Sequence, residues 1–184
     1  MKDKFSIINI DTTGSNREGQ KIIDIALINF DGIKNSTEEI YSTILNPEKN
    51  INHNVTLLTG ITNLKAMNSP YFYKIAKKIV KLTEGRTIVA YNALFTFGFL
   101  QREFKDLGYA YHREIISLDK IAKKLFPDFT SYSTESLNSY FKINPKKTRS
   151  ALSNAENCLK LFKTLYCKNK KKLISKQDRP QYSL

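Results

Sequence analysis

The sequence predicts an α/β fold in which a mixed β-sheet is flanked by helices. Three β-rich runs follow one another at the start of the chain, at 5–11, 21–30 and 38–45. Beyond them the apolar residues recur at helical spacing, and a fourth β-rich run appears only at 86–91. Consecutive strands joined by short turns favour an antiparallel meander, whereas strands that alternate with helices favour parallel pairing.

Turn signals support the three-stranded meander. Asp31-Gly32 follows the second run in the manner of a hairpin turn. Asn46-Pro47 ends the third run, because proline cannot donate a hydrogen bond to a neighbouring strand. We therefore expect an antiparallel meander at one edge of the sheet.

The rest of the chain is predicted to be mainly helical. Residues 70–85 carry an apolar stripe with a helical period, and Gly85 closes it. Ile115 and Ile116 allow one more short strand. The other predicted helices lie at 93–108, at 117–128, from Ser133 in STESLNSYF, and at about 150–167.

Length and charge constrain the organisation of the chain. Its 184 residues suffice for one buried core, which we assign to residues 1–168, followed by a basic C-terminal tail at 169–184. The net charge of +13 suits a partner that carries phosphates, although a lysine-rich composition alone does not predict one. No run of eighteen apolar residues occurs, and MKDKFS lacks the apolar core of a signal peptide. We therefore expect a cytoplasmic protein without a membrane partner.

Three blocks, in order, carry a resemblance to a known family. The first is NIDTTG followed by KIIDIALI, the second is LLTGIT followed by VAYNALFTFGFL, and the third is RSALSNAENCLKLF. Together they resemble the DEDDh 3′–5′ exonucleases, the DnaQ-like family of the proofreading epsilon subunit of bacterial DNA polymerase III. The resemblance covers about residues 5–166 and implies an RNase H-like mixed sheet.

The resemblance also implies a particular catalytic site. In that family two Mg²⁺ or Mn²⁺ ions clamp the scissile phosphate and activate a water molecule. Four carboxylates hold the ions, because hard cations prefer carboxylate oxygens. A histidine serves as the general base.

The chain departs from the family at all five of the positions so matched. The first Asp of the family falls on Asn9 and its Glu on Asp11, one methylene shorter. The Asp of the second block falls on Thr96. In the third block the general-base His falls on Arg149 and the last Asp on Asn154.

These substitutions predict that the catalytic site is degenerate. Asp11 is the only carboxylate left, so we expect no catalytic residue, no metal site and no cofactor; an active protein would need Mg²⁺ or Mn²⁺. Three other acids are poor replacements: Asp24 has a structural position, Glu103 lies two helical turns beyond Thr96, and Glu156 points about 200° away from Asn154.

Several residues are candidates for nucleic-acid contacts. The resemblance implies that the retained Thr-Thr-Gly and Leu-Leu-Thr-Gly segments shape the groove for 3′-terminal nucleotides, although they also suit a purely structural role. Tyr71, Phe72, Tyr73 and Phe97 are candidates for stacking on bases, whereas Phe95 and Phe99 are expected in the core. The residues expected to bind nucleic acid are Thr12, Thr13, Gly14, Leu58, Thr59, Tyr91, Asn92, Phe97 and Arg149.

Arg149 has three interpretations. It pairs with Asp11 and fills the emptied metal site with a fixed cation, or it contacts a phosphate directly. The third interpretation is an Arg that faces solvent and has no role.

Three hypotheses about function follow. The first is a pseudoenzyme of the exonuclease family that binds single-stranded DNA or RNA, or 3′ ends, without cleaving them. The second is an active 3′–5′ exonuclease with an altered site. The third is a protein–protein adaptor in a replication, repair or defence assembly.

Overall fold

A computed structural model describes residues 3–15, 19–145 and 149–174, with the side chains of 167–174 outside the description. These residues form five strands and seven helices. The strands are β1 (Lys4–Thr12), β2 (Ile22–Asp31), β3 (Ser36–Ile44), β4 (Thr87–Ala90) and β5 (Ile115–Ser117). The helices are α1 (His53–Thr59), α2 (Asn63–Met67), α3 (Phe72–Thr83), α4 (Ala93–Asp106), α5 (Leu118–Leu125), α6 (Thr134–Tyr140) and α7 (Ala151–Ile174).

The strands form one mixed sheet in the order β3-β2-β1-β4-β5. β1, β2 and β3 pair antiparallel, while β4 joins β1 in parallel and β5 joins β4 in parallel. The predicted fold class is confirmed. Asp31 holds the turn after β2, because its Oδ1 accepts hydrogen bonds from the amides of Ile33 (2.8 Å) and Lys34 (3.0 Å).

Helices cover both faces of the sheet, and β2 is buried along its whole length. On one face, Phe5 and Ile7 of β1 lie in a core cluster with α5, α6 and α7. On the other face, Ile8 and Ile10 lie in a cluster with α3 and α4. This period of two means that Asn9 and Asp11 point to the face that α7 covers.

The edge of the sheet that holds the predicted site residues is the one where β1 ends. β4 runs parallel to β1, so β4 also ends at this edge and α4 begins there. α7 reaches the same edge, because its first residue, Ala151, bonds to Asp24 of β2. The topology therefore gathers the ends of three matched blocks at one edge.

Two parts of the chain differ from the sequence predictions. α1 and α2 were not predicted. α7 continues to Ile174, seven residues beyond the predicted end at 167, so the tail expected from 169 begins as helix. Residues 175–184 lie outside the described residues, and the domain boundary at 168 stays a prediction.

No helix among the described residues has the length and apolar character that crossing a bilayer requires.

Candidate functional site

Two carboxylates face each other at the end of β1. Asp11 is paired in register with Asp24 of β2, which places the two Cβ atoms about 4.5–5.5 Å apart on one face of the sheet. Burial, together with the negative charge of Asp24, raises the pKa of Asp11 to about 6. No described positive charge compensates this carboxylate.

Asn9 lies beside this pair with an unsatisfied acceptor. Its Oδ1 atom is buried, and no donor among the described residues reaches it. Asn9 and Asp11 are two residues apart on one strand, so their side chains share a face. The position therefore presents an amide oxygen and a carboxylate side by side.

Asp24 has a structural task as well. Its Oδ2 atom accepts a hydrogen bond from the backbone amide of Ala151 at 3.0 Å, so β2 holds the first residue of α7. Burial raises the pKa of Asp24, while the hydrogen bonds from the Ala151 and Ile25 amides oppose the rise. This contact agrees with the structural role that the sequence assigned to Asp24.

The other matched positions lie on α4 and at the start of α7. Thr96 is buried in the first turns of α4, whereas Arg149 and Asn154 are exposed at the start of α7. Among the described residues no ion pair joins Arg149 to Asp11, so the first interpretation of Arg149 is wrong. Direct contact with a phosphate, or exposure without a role, remains for this residue.

The two threonine hydroxyls of the Thr-Thr-Gly segment form hydrogen bonds within the protein. The Thr12 hydroxyl donates to the Gly14 carbonyl at 2.7 Å. Thr13 is buried, and its hydroxyl donates to Gln20 Oε1 at 2.6 Å and accepts from the Lys21 amide at 3.0 Å. Both hydroxyl hydrogens are therefore donated within the protein, and the nucleic-acid contacts expected of this segment stay a prediction.

The Asn92 and Tyr91 side chains also contact other parts of the protein. Asn92 caps α4, because its Oδ1 atom accepts from the Phe95 amide at 3.1 Å. Tyr91 is half-buried, and burial is the main cause that raises its pKa to about 12. Thr59 bonds within its own turn, donating to the Val55 carbonyl at 2.8 Å.

The expectation that Phe97 is the free aromatic of α4 is wrong. Phe97 is only 7% exposed and packs against Tyr111, with ring centroids 5.7 Å apart. Phe99 is fully buried, as expected, while Phe95 is only partly buried against the same cluster. Phe97 is buried because Tyr111, α3 and the sheet all pack against that side of α4.

The α1–α2 segment exposes apolar side chains at this edge, a feature that the sequence analysis missed. Capping signals mark both helices: Asn52 accepts from the Val55 amide, Thr62 accepts from the Lys65 amide, and Gly60 ends α1 with φ 72°. Counting these caps would have found the helices. The exposed side chains are Leu57, Leu58, Leu64 and Met67, each between 63% and 72% exposed.

The other acids do not complete a carboxylate cluster. Glu103 is buried and accepts from the Ile22 amide at 3.1 Å and from Lys21 Nζ at 3.2 Å, so it ties α4 to β2. Within the described residues, no three His, Cys, Asp or Glu side chains are grouped so that they could hold a metal ion.

The mixed sheet, with its strand order and its helices on both faces, defines the class of fold, that of the RNase H-like exonucleases. Solved structures with this fold match most of the chain. One is the nuclease domain of 3′hExo, a DEDDh family member bound to rAMP, with a TM-score of 0.79, 14% identity and coverage of 90% of this chain and 92% of that one. Another is E. coli Exonuclease I in complex with a dT13 oligonucleotide, with a TM-score of 0.77, 17% identity and coverage of 91% and 42%.

The chain belongs to the exonuclease family of the RNase_T model, which matches residues 7–162. Among curated relatives it is 29% identical to the 3′-5′ exonuclease DinG of Bacillus subtilis over 84% of this chain. It is 26% identical to the DNA polymerase III subunit epsilon of Treponema pallidum, over 88% of this chain and 75% of that protein. The chain spans only 17%, 11% and 12% of the lengths of the first three relatives, DinG and two PolC-type DNA polymerases III.

Proposed function

We propose that this chain is a catalytically degenerate member of the exonuclease family. In this proposal it binds single-stranded nucleic acid, including 3′ ends, without metal-dependent cleavage. The observation that carries it is the residue set at the five matched positions. Asp11 is the only carboxylate, and the others are Asn9, Thr96, Arg149 and Asn154.

The residues at this edge do not fit a pair of divalent cations. Two such ions bring four positive charges, and they favour several carboxylate ligands. The matched positions offer a single carboxylate, two amides and a hydroxyl. The nearby Asp24 is already engaged with the Ala151 amide. No metal-dependent step follows from these residues.

Arg149 cannot replace the general base of the family. A guanidinium keeps its proton at any physiological pH and has no acceptor site with which to take a proton from water. Loss of a positioned base commonly lowers a rate by about 10²–10⁴-fold. A guanidinium is, however, a good donor to phosphate oxygens, and Arg149 is exposed where such a group would approach α7.

Three features support nucleic acid as the ligand. The chain belongs to an exonuclease family, and Exonuclease I of the same fold has been solved with an oligonucleotide. Its net charge is +13. Leu57 and Leu58 are also exposed in the segment that, by the resemblance, borders the groove for terminal nucleotides.

A binding and cleavage assay tests the proposal. A fluorescent single-stranded oligonucleotide is titrated with the protein at several salt concentrations, and its length is followed in Mn²⁺ with and without EDTA. We expect salt-dependent binding and no shortening of the oligonucleotide. Cleavage that EDTA abolishes would contradict the proposal, as would a lack of binding at low salt.

A restored variant provides the positive control for cleavage. It carries Asn9→Asp, Asp11→Glu, Thr96→Asp, Arg149→His and Asn154→Asp, which return the family residues to the matched positions. We expect this variant to shorten the same oligonucleotide in Mn²⁺. Its activity would demonstrate that the fold is competent and that these five residues account for the inactivity of the natural chain.

One observation favours an active enzyme with an altered site as the second candidate. Asp24 lies opposite Asp11, and the unsatisfied Oδ1 of Asn9 lies beside them, so three oxygen-bearing side chains share one edge. Metal-dependent cleavage by the natural protein that disappears in an Asp11→Asn variant would support this candidate. Cleavage that survives this change would point to a contaminating nuclease.

A further inference from the structure

The exposed side of α3 carries a row of lysines. Lys74, Lys77, Lys78 and Lys81 are all exposed, and α3 contains no Asp or Glu. At 100° per residue these four positions span an arc of about 100° on one side of the helix. They extend about 10 Å along its axis. We call these four residues the α3 lysine row.

No described ion pair neutralises this row. The described ion pairs engage Lys4, Lys21, Arg86 and Arg102, and none of them involves α3. Two of the lysines lie over aromatic rings, Lys78 Nζ at 4.1 Å from the Tyr41 centroid and Lys74 Nζ at 5.1 Å from that of Tyr73. The positive charge of the row is therefore left to face solvent.

The backbone that carries the row is firmly held. The opposite side of α3 buries Phe72, Ile75, Ile79 and Leu82 against the sheet. Arg113 fixes the end of the helix, donating to the Thr83 carbonyl at 3.0 Å and to the Val80 carbonyl at 3.2 Å. The lysines thus start from a rigid element, which lowers the entropy lost when they contact a ligand.

Two exposed tyrosines stand at the start of the row. Tyr71 and Tyr73 are 36% and 50% exposed, and their rings are stacked at 5.5 Å with an angle of 11° between their planes. Aromatic rings exposed next to basic side chains are the usual platform on which unpaired bases stack. The sequence had already marked these tyrosines as candidates for base stacking.

The row begins at the same end of the sheet as the candidate site, on the opposite face, and runs along the sheet away from that end. The start of α3 lies next to the end of β3, because the Asn46 amide donates to the Pro70 carbonyl at 3.0 Å. This is the edge where Asp24 pairs with Ile44. The far end of α3 lies at the opposite edge, where the Leu82 carbonyl accepts from Asn29 Nδ2 at 3.0 Å.

We propose that the α3 lysine row, together with Tyr71 and Tyr73, is a second contact surface for single-stranded nucleic acid. It holds the part of the strand that passes round this end of the sheet, away from the end bound near Asp11. Phosphates contact the lysines, and bases stack on the tyrosines. This inference rests on the proposed function, since it extends the path of the same ligand.

Strand length and charge removal test the surface together. The first variant is Lys74→Gln, Lys77→Gln and Lys81→Gln, which keeps residues of good helix propensity. The matched control removes the same charge through Lys34→Gln, Lys105→Gln and Lys160→Gln, three exposed lysines that lie outside α3 and outside the candidate site. Both full-length proteins are titrated with single strands of about four and about sixteen nucleotides.

The α3 variant is expected to bind the long strand several-fold more weakly than the natural protein and to bind the short strand equally well. Its slope of log affinity against log salt for the long strand falls by about 2, because each lost phosphate contact removes about 0.7. The matched control keeps the natural slope. Replacing both tyrosines by alanine weakens binding of the long strand without changing that slope, and equal circular dichroism spectra establish that all variants fold.

The alternative outcomes have different meanings. If the natural protein binds the short strand but the α3 variant matches it on both lengths, the second surface is disproved and the proposed function stands. If the natural protein binds neither strand, both proposals fail. If polyglutamate competes as well as the long strand, the row is a surface for acidic partners in general and the inference is overturned.

Discussion

Asp11 and Asp24 lie directly opposite each other on the antiparallel strands β1 and β2, on the face of the sheet that α7 covers. The fold thus keeps two carboxylates at one edge, and each has a different task. The Asp24 carboxylate accepts a hydrogen bond from the first amide of α7, whereas Asp11 has no described partner of opposite charge. Four predictions follow from the structure around this edge.

The first prediction concerns pH and Asp11. A rise in its pKa from 3.8 to about 6 destabilises the ionised folded state by about 3 kcal/mol. When a carboxyl group has a higher pKa in the folded state than in the unfolded state, the protein loses stability as the pH rises from about 4 to about 6. We expect Asp11→Asn to match the natural protein at pH 4 and to exceed it by up to about 3 kcal/mol at pH 8.

Urea unfolding at the two pH values measures this difference. The effect of Asp11 is taken from the difference in unfolding free energy between the natural protein and the Asp11→Asn variant, because burial raises the pKa of Asp24 in both of them. A difference that does not change with pH would contradict the raised pKa of Asp11.

The second prediction concerns the anchor of α7. Asp24→Ala leaves the buried amide of Ala151 without its acceptor, which costs about 1–3 kcal/mol in the free energy of unfolding. Asp24→Asn keeps an oxygen acceptor and is expected to lose less. Denaturant unfolding of both variants provides the comparison, and equal losses would mean that the carboxylate charge, not the hydrogen bond, is what matters.

The third prediction concerns metal ions. We expect Mg²⁺ and Mn²⁺ to leave the melting temperature of the natural protein unchanged, because the matched positions retain one carboxylate. The variant with the five restored residues is expected to melt at a higher temperature in Mn²⁺, since a ligand that binds only the folded state stabilises it. Thermal melts with and without EDTA measure both effects; a clear shift in the natural protein would contradict the degenerate site.

The fourth prediction separates the two aromatics of α4. Phe97→Ala removes a side chain that is 7% exposed and is expected to cost about 3–5 kcal/mol of stability. Phe95 is partly buried, so Phe95→Ala should cost less. Chemical denaturation ranks the two variants, and an equal or larger loss for Phe95 would reverse the assignment of the core side of α4.

Much of the fold could be read from local patterns. The alternation of β1, the Asp31 turn and the apolar stripe of α3 each depend on residues within a few positions of one another. The α1–α2 segment at this edge of the sheet was harder to predict. Ala66 is the only buried residue of these two helices, so they have no buried apolar stripe. Their capping residues were the only strong signal.

The candidate site divides in the same way. The resemblance places Asn9, Thr96 and Asn154 at the positions of the family's acids, and this assignment stays a prediction. By contrast, the sequence left open whether Arg149 pairs with Asp11, and the structure has no ion pair between these two described residues. A charge pair depends on where two distant segments meet, which no local period encodes.

The sequence by itself therefore determined the fold class and the likeness to an exonuclease family. These follow from strand and helix periods and from motif spacing, which are properties of short segments. The tertiary structure decided that Asp24 faces Asp11 and holds Ala151, 127 residues away. It also decided that Phe97 is buried and that no described acid forms an ion pair with the lysines of α3, because burial and ion pairing depend on which surfaces the folded chain brings together.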